Sequence, residues 1–167
     1  MHQEDMLQAL GEPTALKYEE DGGPSLRQIA QLIDDHVRIP AKDRIHLRDW
    51  QIFNLIIGNR DGHAKNLSLI YQKDSAAPSL APFYDLVSIE FLNDLGNSGW
   101  GRRLAFRIGR DDIPERVGQK NWESFAEDLQ LPVKPTLRQV VKMCDVLPDA
   151  AEEGCRDIGS DQIRRVS

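Results

Sequence analysis

Between Arg44 and Asn66 the chain changes character abruptly, and that change limits what it can fold into. Asp43 is placed to cap a helix in which Ile45, Trp50, Ile52, Phe53, Ile56 and Ile57 carry a heavy apolar load. A helix so apolar along its second half is central to its domain. It stops at Gly58. The run Asn59–Asn66 is polar and turn-like, and Leu67–Tyr71 is β-branched and aromatic enough for a strand. With Gln72–Ser79 as a loop, Leu80–Phe83 reads as a second short strand. The expectation is a polar loop held between a buried helix and a β-hairpin.

The remaining segments are mostly helical in pattern. Glu4–Leu10 predicts a short helix closed by Gly11 and Pro13, and Glu19–Pro24 predicts a loop. Ser25 and Gln28 form a capping box ahead of the stripe Leu26, Ile29, Ala30 and Ile33. Pro40 marks a break. Leu86–Leu92 predicts a helical turn and Arg103–Ile108 a strand. Asn121 is placed to cap a helix through Leu129, and Thr136 with Gln139 to open another, its end fraying over Ser160–Ser167. The fold class expected is mainly α with a small β-hairpin, as one domain over residues 1–167.

Charge narrows the function classes. Lys plus Arg is 21 against 27 for Asp plus Glu, a formal net charge of -6. That balance argues against direct nucleic-acid binding, which needs cationic surface to neutralise phosphates. Arg102, Arg103, Arg107 and Arg110 are locally basic and read as a solvated face. Cys144 and Cys155 show no CxxC spacing and read as free thiols of a reducing compartment. Neither a signal peptide nor an apolar span is evident, so no membrane association and a cytoplasmic location are expected.

The chemistry-bearing residues gather at the hairpin. Asp61 and Asn66 bracket the polar loop, and Asp85 follows the second strand. A hairpin folds its ends together, so Asn66 and Asp85 are expected to meet. An amide and a carboxylate held that way offer hard oxygen ligands of the kind Mg2+ takes beside phosphate. Kinase catalytic loops use the same spacing, in which an Asp faces the attacking hydroxyl, an Asn five residues on holds metal, and a later Asp binds metal and phosphates. His63 and Lys65 lie between, where a cation or donor could stabilise a transferring phosphoryl group. On spacing alone, Asp61 reads more readily as a turn residue and Asn66 as a strand-start cap. Asp61, His63 and Asp85 could also ligate a transition metal in a hydrolase, though His2, His36 and His46 are scattered.

Two longer runs decide among these. Gly58-Asn59-Arg60-Asp61-Gly62-His63-Ala64-Lys65-Asn66-Leu67-Ser68 and Leu80-Ala81-Pro82-Phe83-Tyr84-Asp85-Leu86-Val87-Ser88 resemble the paired signature of HipA-family kinases. His2-Gln3-Glu4-Asp5-Met6, Lys17-Tyr18, Asp21-Gly22-Gly23-Pro24 and Trp122-Glu123-Ser124-Phe125-Ala126 are similar to that family too. The resemblance implies the C-terminal lobe of a kinase-like fold and ATP–Mg2+ chemistry on a protein serine, within a type II toxin–antitoxin system. It implies Asp61 as catalytic base and Asn66 and Asp85 as metal and nucleotide ligands, with His63 and Lys65 matching the motif. An aminoacyl-tRNA synthetase as substrate and a HipB-like helix-turn-helix antitoxin as partner are implied in the same way.

No Gly-rich phosphate loop lies upstream of Asp61, and the family's N-terminal lobe has no counterpart before His2. The chain is therefore expected to be partial at both ends relative to the family and a very poor kinase alone, because in-line transfer depends on positioning. Two readings follow: a kinase catalytic lobe, from a truncated gene or from a split system in which a separate chain supplies the other lobe, or a non-enzymatic module that contacts an antitoxin or the missing half.

Overall fold

The computed structural model describes residues 2–73, 75–96 and 101–166; the side chains of Cys155 and of residues 157–166 lie outside that description. Helices dominate. The order is β1 (His2–Asp5), α1 (Met6–Leu10), α2 (Leu26–His36), α3 (Pro40–Ile56), β2 (Ser68–Tyr71), β3 (Ser79–Leu80), α4 (Ile89–Asp94), α5 (Gln119–Asp128) and α6 (Val133–Val166). Short 3-10 turns occupy Glu19–Asp21, Ala64–Asn66 and Pro114–Arg116.

The predicted central helix is α3. Leu47, Trp50 and Ile52 are buried on it, and α2 and α6 both pack against it. It begins earlier than expected because Pro40 sits in its first turn, where a missing N–H costs nothing. Asp43 is therefore not its cap. It is buried inside the helix, and its carboxylate accepts the Leu80 N–H at 3.1 Å, tying α3 to β3. Helix α2 opens as predicted, with Ser25 and Gln28 exchanging side-chain-to-backbone hydrogen bonds. Its stripe of Leu26, Ile29, Ala30 and Ile33 is buried, each large aliphatic side chain contributing about 1.5–3 kcal/mol. Trp50 meets Phe106 edge-on at 6.0 Å, which joins α3 to the later half of the chain.

The sheet has three strands in the order β1-β2-β3, both pairs antiparallel. The hairpin is present, with Leu69 opposite Leu80, but β3 is confined to Ser79–Leu80. The helix expected from Glu4 begins at Met6, because His2–Asp5 pairs with β2 as a strand. Asp5 is the pivot: it ends β1 and caps α1, accepting the Gln8 N–H at 3.0 Å.

Arg103–Ile108 is not a strand. Leu104, Ala105, Phe106 and Ile108 are all buried, which period-two alternation against one core face does not give. Its one ladder contact among the described residues is the bridge from Ile108 to Asp111. The helix expected from Leu86 starts at Ile89, capped by the Ser88 hydroxyl. Asn121 lies within the first turn of α5 rather than at its cap, and its side chain accepts the Gly118 N–H at 3.0 Å. Thr136 and Gln139 do not open α6, which begins at Val133; Pro135 is tolerated in its first turn and Thr136 is buried within. The backbone is helical through Val166, as the pattern predicted. Cys144 is an exposed free thiol. Among the described residues no helix is long and apolar enough to cross a membrane.

Candidate active site

The end of α3 and the loop after it are built around two carboxamides. Asn59 is buried and gives its Nδ2 to the Asn54 side-chain oxygen at 2.8 Å and to the Asp85 carbonyl at 3.3 Å. Its own side-chain oxygen accepts the Asp61 N–H at 3.2 Å. One side chain thus fixes the backbone on both sides of the site. Gly58 turns the chain with φ +68, and a Cβ there would stand 2.7 Å from the Cβ of Glu90. Gly62 allows the loop to close on α3, since a Cβ would meet Asn54 Nδ2 at 3.2 Å and Trp50 at 3.4 Å.

Asp61 is partly exposed. Its Oδ1 accepts the Tyr18 hydroxyl at 2.5 Å and lies 3.9 Å from His63 Nε2. Burial, then the Asp61 carboxylate, raises the Tyr18 pKa well above the ordinary phenol range, so the phenol stays a donor. His63 is buried edge-on to Tyr18, with ring centroids 5.4 Å apart. Burial, then the Lys17 ammonium, lowers its pKa, while Asp61 opposes them. A neutral ring is favoured, and its Nδ1 has no hydrogen-bond partner among the described residues.

Asn66 is buried at the end of its 3-10 turn. Its side-chain oxygen accepts the His63 N–H at 2.9 Å, and its Nδ2 donates to Asp85 Oδ2 at 2.6 Å. Asp85 is held in the left-handed region, φ 58, which Asp tolerates better than most residues. Tyr84 brings it there. Its hydroxyl donates to the Lys65 carbonyl at 2.5 Å and lies 2.6 Å from Ser68 Oγ. Lys65 contributes that carbonyl; its ammonium has no ion pair among the described residues.

The sequence-predicted residues Asp61, His63, Asn66 and Asp85 therefore stand in one hydrogen-bonded unit. Sequence reasoning missed Asn54, Asn59 and Tyr84 as its supports. The adjacency of Tyr84 to Asp85 was visible; the reach of Asn59 to Asp85 across 26 positions was not. Two clefts meet at Asp61. One, of about 210 Å³, is lined by Asn59, Asp61, Asp85, Val87, Ile89 and Leu92. The other, of about 600 Å³, runs past Tyr18 to Arg102 and Arg103.

The donor set suits a hard cation. Asp85 offers a carboxylate, and the Asn66 side-chain oxygen retains a lone pair beside its bond to His63. Two such oxygens beside phosphate are what Mg2+ commonly accepts from protein. Among the described residues no three His, Cys, Asp or Glu side chains gather as a metal cluster, so Asp61, His63 and Asp85 do not come together as the three-ligand transition-metal set.

Known proteins carry the same domain. The profile of the HipA-like C-terminal domain matches residues 1–151. A Sinorhizobium fredii protein, Y4mE, which bears the name of a kinase, is 34% identical over 157 residues, covering 94% of this chain and 36% of its own length. The serine/threonine-protein kinase toxin HipA of Shewanella oneidensis is 26% identical over 162 residues, with 91% of this chain and 36% of that protein covered. The solved complex of Shewanella oneidensis HipA with HipB and operator DNA matches with a TM-score of 0.81 at 26% identity, over 91% of this chain and 36% of that one. The chain spans about a third of the length of these relatives. With its profile match and its supporting fold, the chain belongs to the HipA-like C-terminal domain family.

Proposed function

We propose that this chain provides the catalytic residues of a HipA-type kinase that moves the γ-phosphoryl group of ATP to a serine hydroxyl of a protein. The observation that carries this reading is the linkage of Asn66 to Asp85, with Asp61 held to the same Asn59 support. Asp61 accepts the proton of the acceptor hydroxyl as the new O–P bond forms and the bond from γ-phosphorus to the departing ADP oxygen breaks. Asn66 and Asp85 would hold Mg2+, which would neutralise phosphate charge when bound. His63, kept neutral, packs behind Asp61, and Lys65 supplies a cation for the phosphoryl oxygens.

The relatives are much longer, so the rest of the nucleotide pocket is expected from residues beyond these or from a separate N-terminal-lobe chain. The 167-residue chain alone is expected to transfer phosphate poorly. The matching Shewanella HipA was solved together with HipB, which supports a HipB-like antitoxin as partner; that this antitoxin is a helix-turn-helix protein and that the pair works in the cytoplasm are part of the proposal by family resemblance. An aminoacyl-tRNA synthetase is the proposed substrate by family resemblance.

A second reading, a non-enzymatic contact module, is favoured by apolar surface beside the site. Phe91 is 60% and Leu95 64% exposed on and just after α4, with Leu86 and Val87 exposed next to Asp85. Titration of ATP with Mg2+, with and without the neighbouring gene product, separates the two. Nucleotide binding, followed by transfer that Asp61→Asn reduces about 10²–10⁴-fold, supports the kinase. Absence of nucleotide binding in both arms supports the module.

A further inference from the structure

The arginine-rich segment after Gly101 reads as a solvated face in the sequence, yet it forms one wall of the larger cleft that opens on Asp61. That wall is fixed from behind. The guanidinium of buried Arg60 donates to the Arg102 carbonyl at 2.9 Å. Leu104 N–H reaches the Asp112 carbonyl at 2.6 Å, and the Ala105 carbonyl accepts Glu19 N–H at 3.1 Å. Arg103 is occupied by Asp112 at 2.7 Å and by Glu20 at 3.5 Å. Arg60 is occupied by Glu90. Arg102 lines the cleft and has no ion pair among the described residues, so its charge is the one left for a ligand.

In-line transfer requires the acceptor and the departing ADP on opposite sides of the phosphorus, with the proton acceptor on the acceptor's side. Asp61 lines both clefts, and the smaller one contains Asp85. The larger cleft is then the side left for the acceptor. We propose that the cleft between Tyr18 and the 101–105 segment binds an extended peptide, and that Arg102 recognises a carboxylate beside its acceptor hydroxyl. This rests on the reading of Asp61 as proton acceptor. A peptide rather than a nucleic acid fits because the cleft carries Glu20 and Asp61 among its cations and the chain is acidic overall.

The test is fluorescence anisotropy on the 167-residue protein with dye-labelled peptides holding a central serine flanked by Glu, Gln or Lys. The Glu peptide is expected to bind about fivefold tighter than the Lys peptide, and Arg102→Glu to reverse that order. Lys42→Glu makes the same charge change in a different cleft and should preserve the order. The proposal is overturned by absence of peptide binding, by equal affinities, by an order Arg102→Glu leaves unchanged, or by tighter binding of a short single-stranded RNA. ATP–Mg2+ titration of the same protein reports on the kinase reading separately. Peptide selectivity without nucleotide binding would keep the cleft and remove the catalysis.

Discussion

At the scale of single residues, Asn59 carries the most for its size. It is buried, and three hydrogen bonds join α3, the Asp61 backbone and the Asp85 backbone through one carboxamide. Asn59→Ala leaves the Asn54 oxygen and the Asp61 N–H without that partner, at roughly 1–3 kcal/mol for each buried group left unpaired. Urea unfolding should show a loss of about 2–3 kcal/mol. A loss within about 0.5 kcal/mol, the ordinary range for surface changes, would remove Asn59 from its supporting role. Asp85 offers a second contrast. Its left-handed backbone tolerates Asp and Asn but strains Ala, so Asp85→Ala should melt below Asp85→Asn, by about 1 kcal/mol. Both variants remove the carboxylate and should weaken Mg2+-dependent nucleotide binding, Asp85→Ala at least as strongly as Asp85→Asn, which keeps an amide oxygen. If the Ala variant is as stable as the Asn variant, the backbone argument fails.

Elements divide by whether their cause is local. The capping box at Ser25 and the central helix α3 were legible because neighbouring residues determine both. Ser25→Ala should cost about 1 kcal/mol in thermal or denaturant unfolding. The meeting of Asn66 with Asp85 was legible too, since the hairpin turns those ends toward each other; the last five residues, Ala81–Asp85, lie beyond β3 and are placed by Tyr84 and Asn59. The strand β1 was not. His2–Asp5 is four residues long, its pairing is with residues 68–71, and Asp5 at its end signals a helix cap as clearly as a strand end. Arg103–Ile108 misled for the opposite reason: its apolar residues are buried, but helix α3 and loops rather than strands lie against them. The loop holding Tyr18 depends on Gly23, where a Cβ would fall 2.1 Å from the Leu16 carbonyl oxygen and 2.7 Å from that of Tyr18. Gly23→Ala should therefore destabilise by roughly 2 kcal/mol or more, whereas Gly118→Ala, with nothing within 4 Å and only an N-cap glycine to lose, should cost less than about 1 kcal/mol. Similar melting of the two variants would show that the Tyr18 loop yields freely.

Across the whole molecule, residues 17–23 join parts that are distant in the chain. Lys17 carbonyl accepts the Ala64 N–H at 3.3 Å, Tyr18 holds Asp61, and Glu19 reaches the 101–107 segment twice, through its N–H to Ala105 and its carboxylate from Arg107 N–H at 2.8 Å. Burial raises the Glu19 pKa above its ordinary 4.5, more than the Arg107 bond and charge lower it. The folded protein thus holds the Glu19 proton more tightly than the unfolded chain does. The stability this contributes is fully present below the unfolded pKa and is lost as pH rises through the folded value. Glu19→Gln keeps an oxygen for the Arg107 N–H and cannot ionise. Thermal melts should therefore place Glu19→Gln nearest the wild type at about pH 4 and above it at about pH 7, with the gap opening as the wild-type carboxyl loses its proton. A gap that is constant across that range, or that closes on going to neutral pH, would mean that the bond to Arg107 outweighs burial. The loop beneath Asp61 would then be held by ionised Glu19 rather than strained by it.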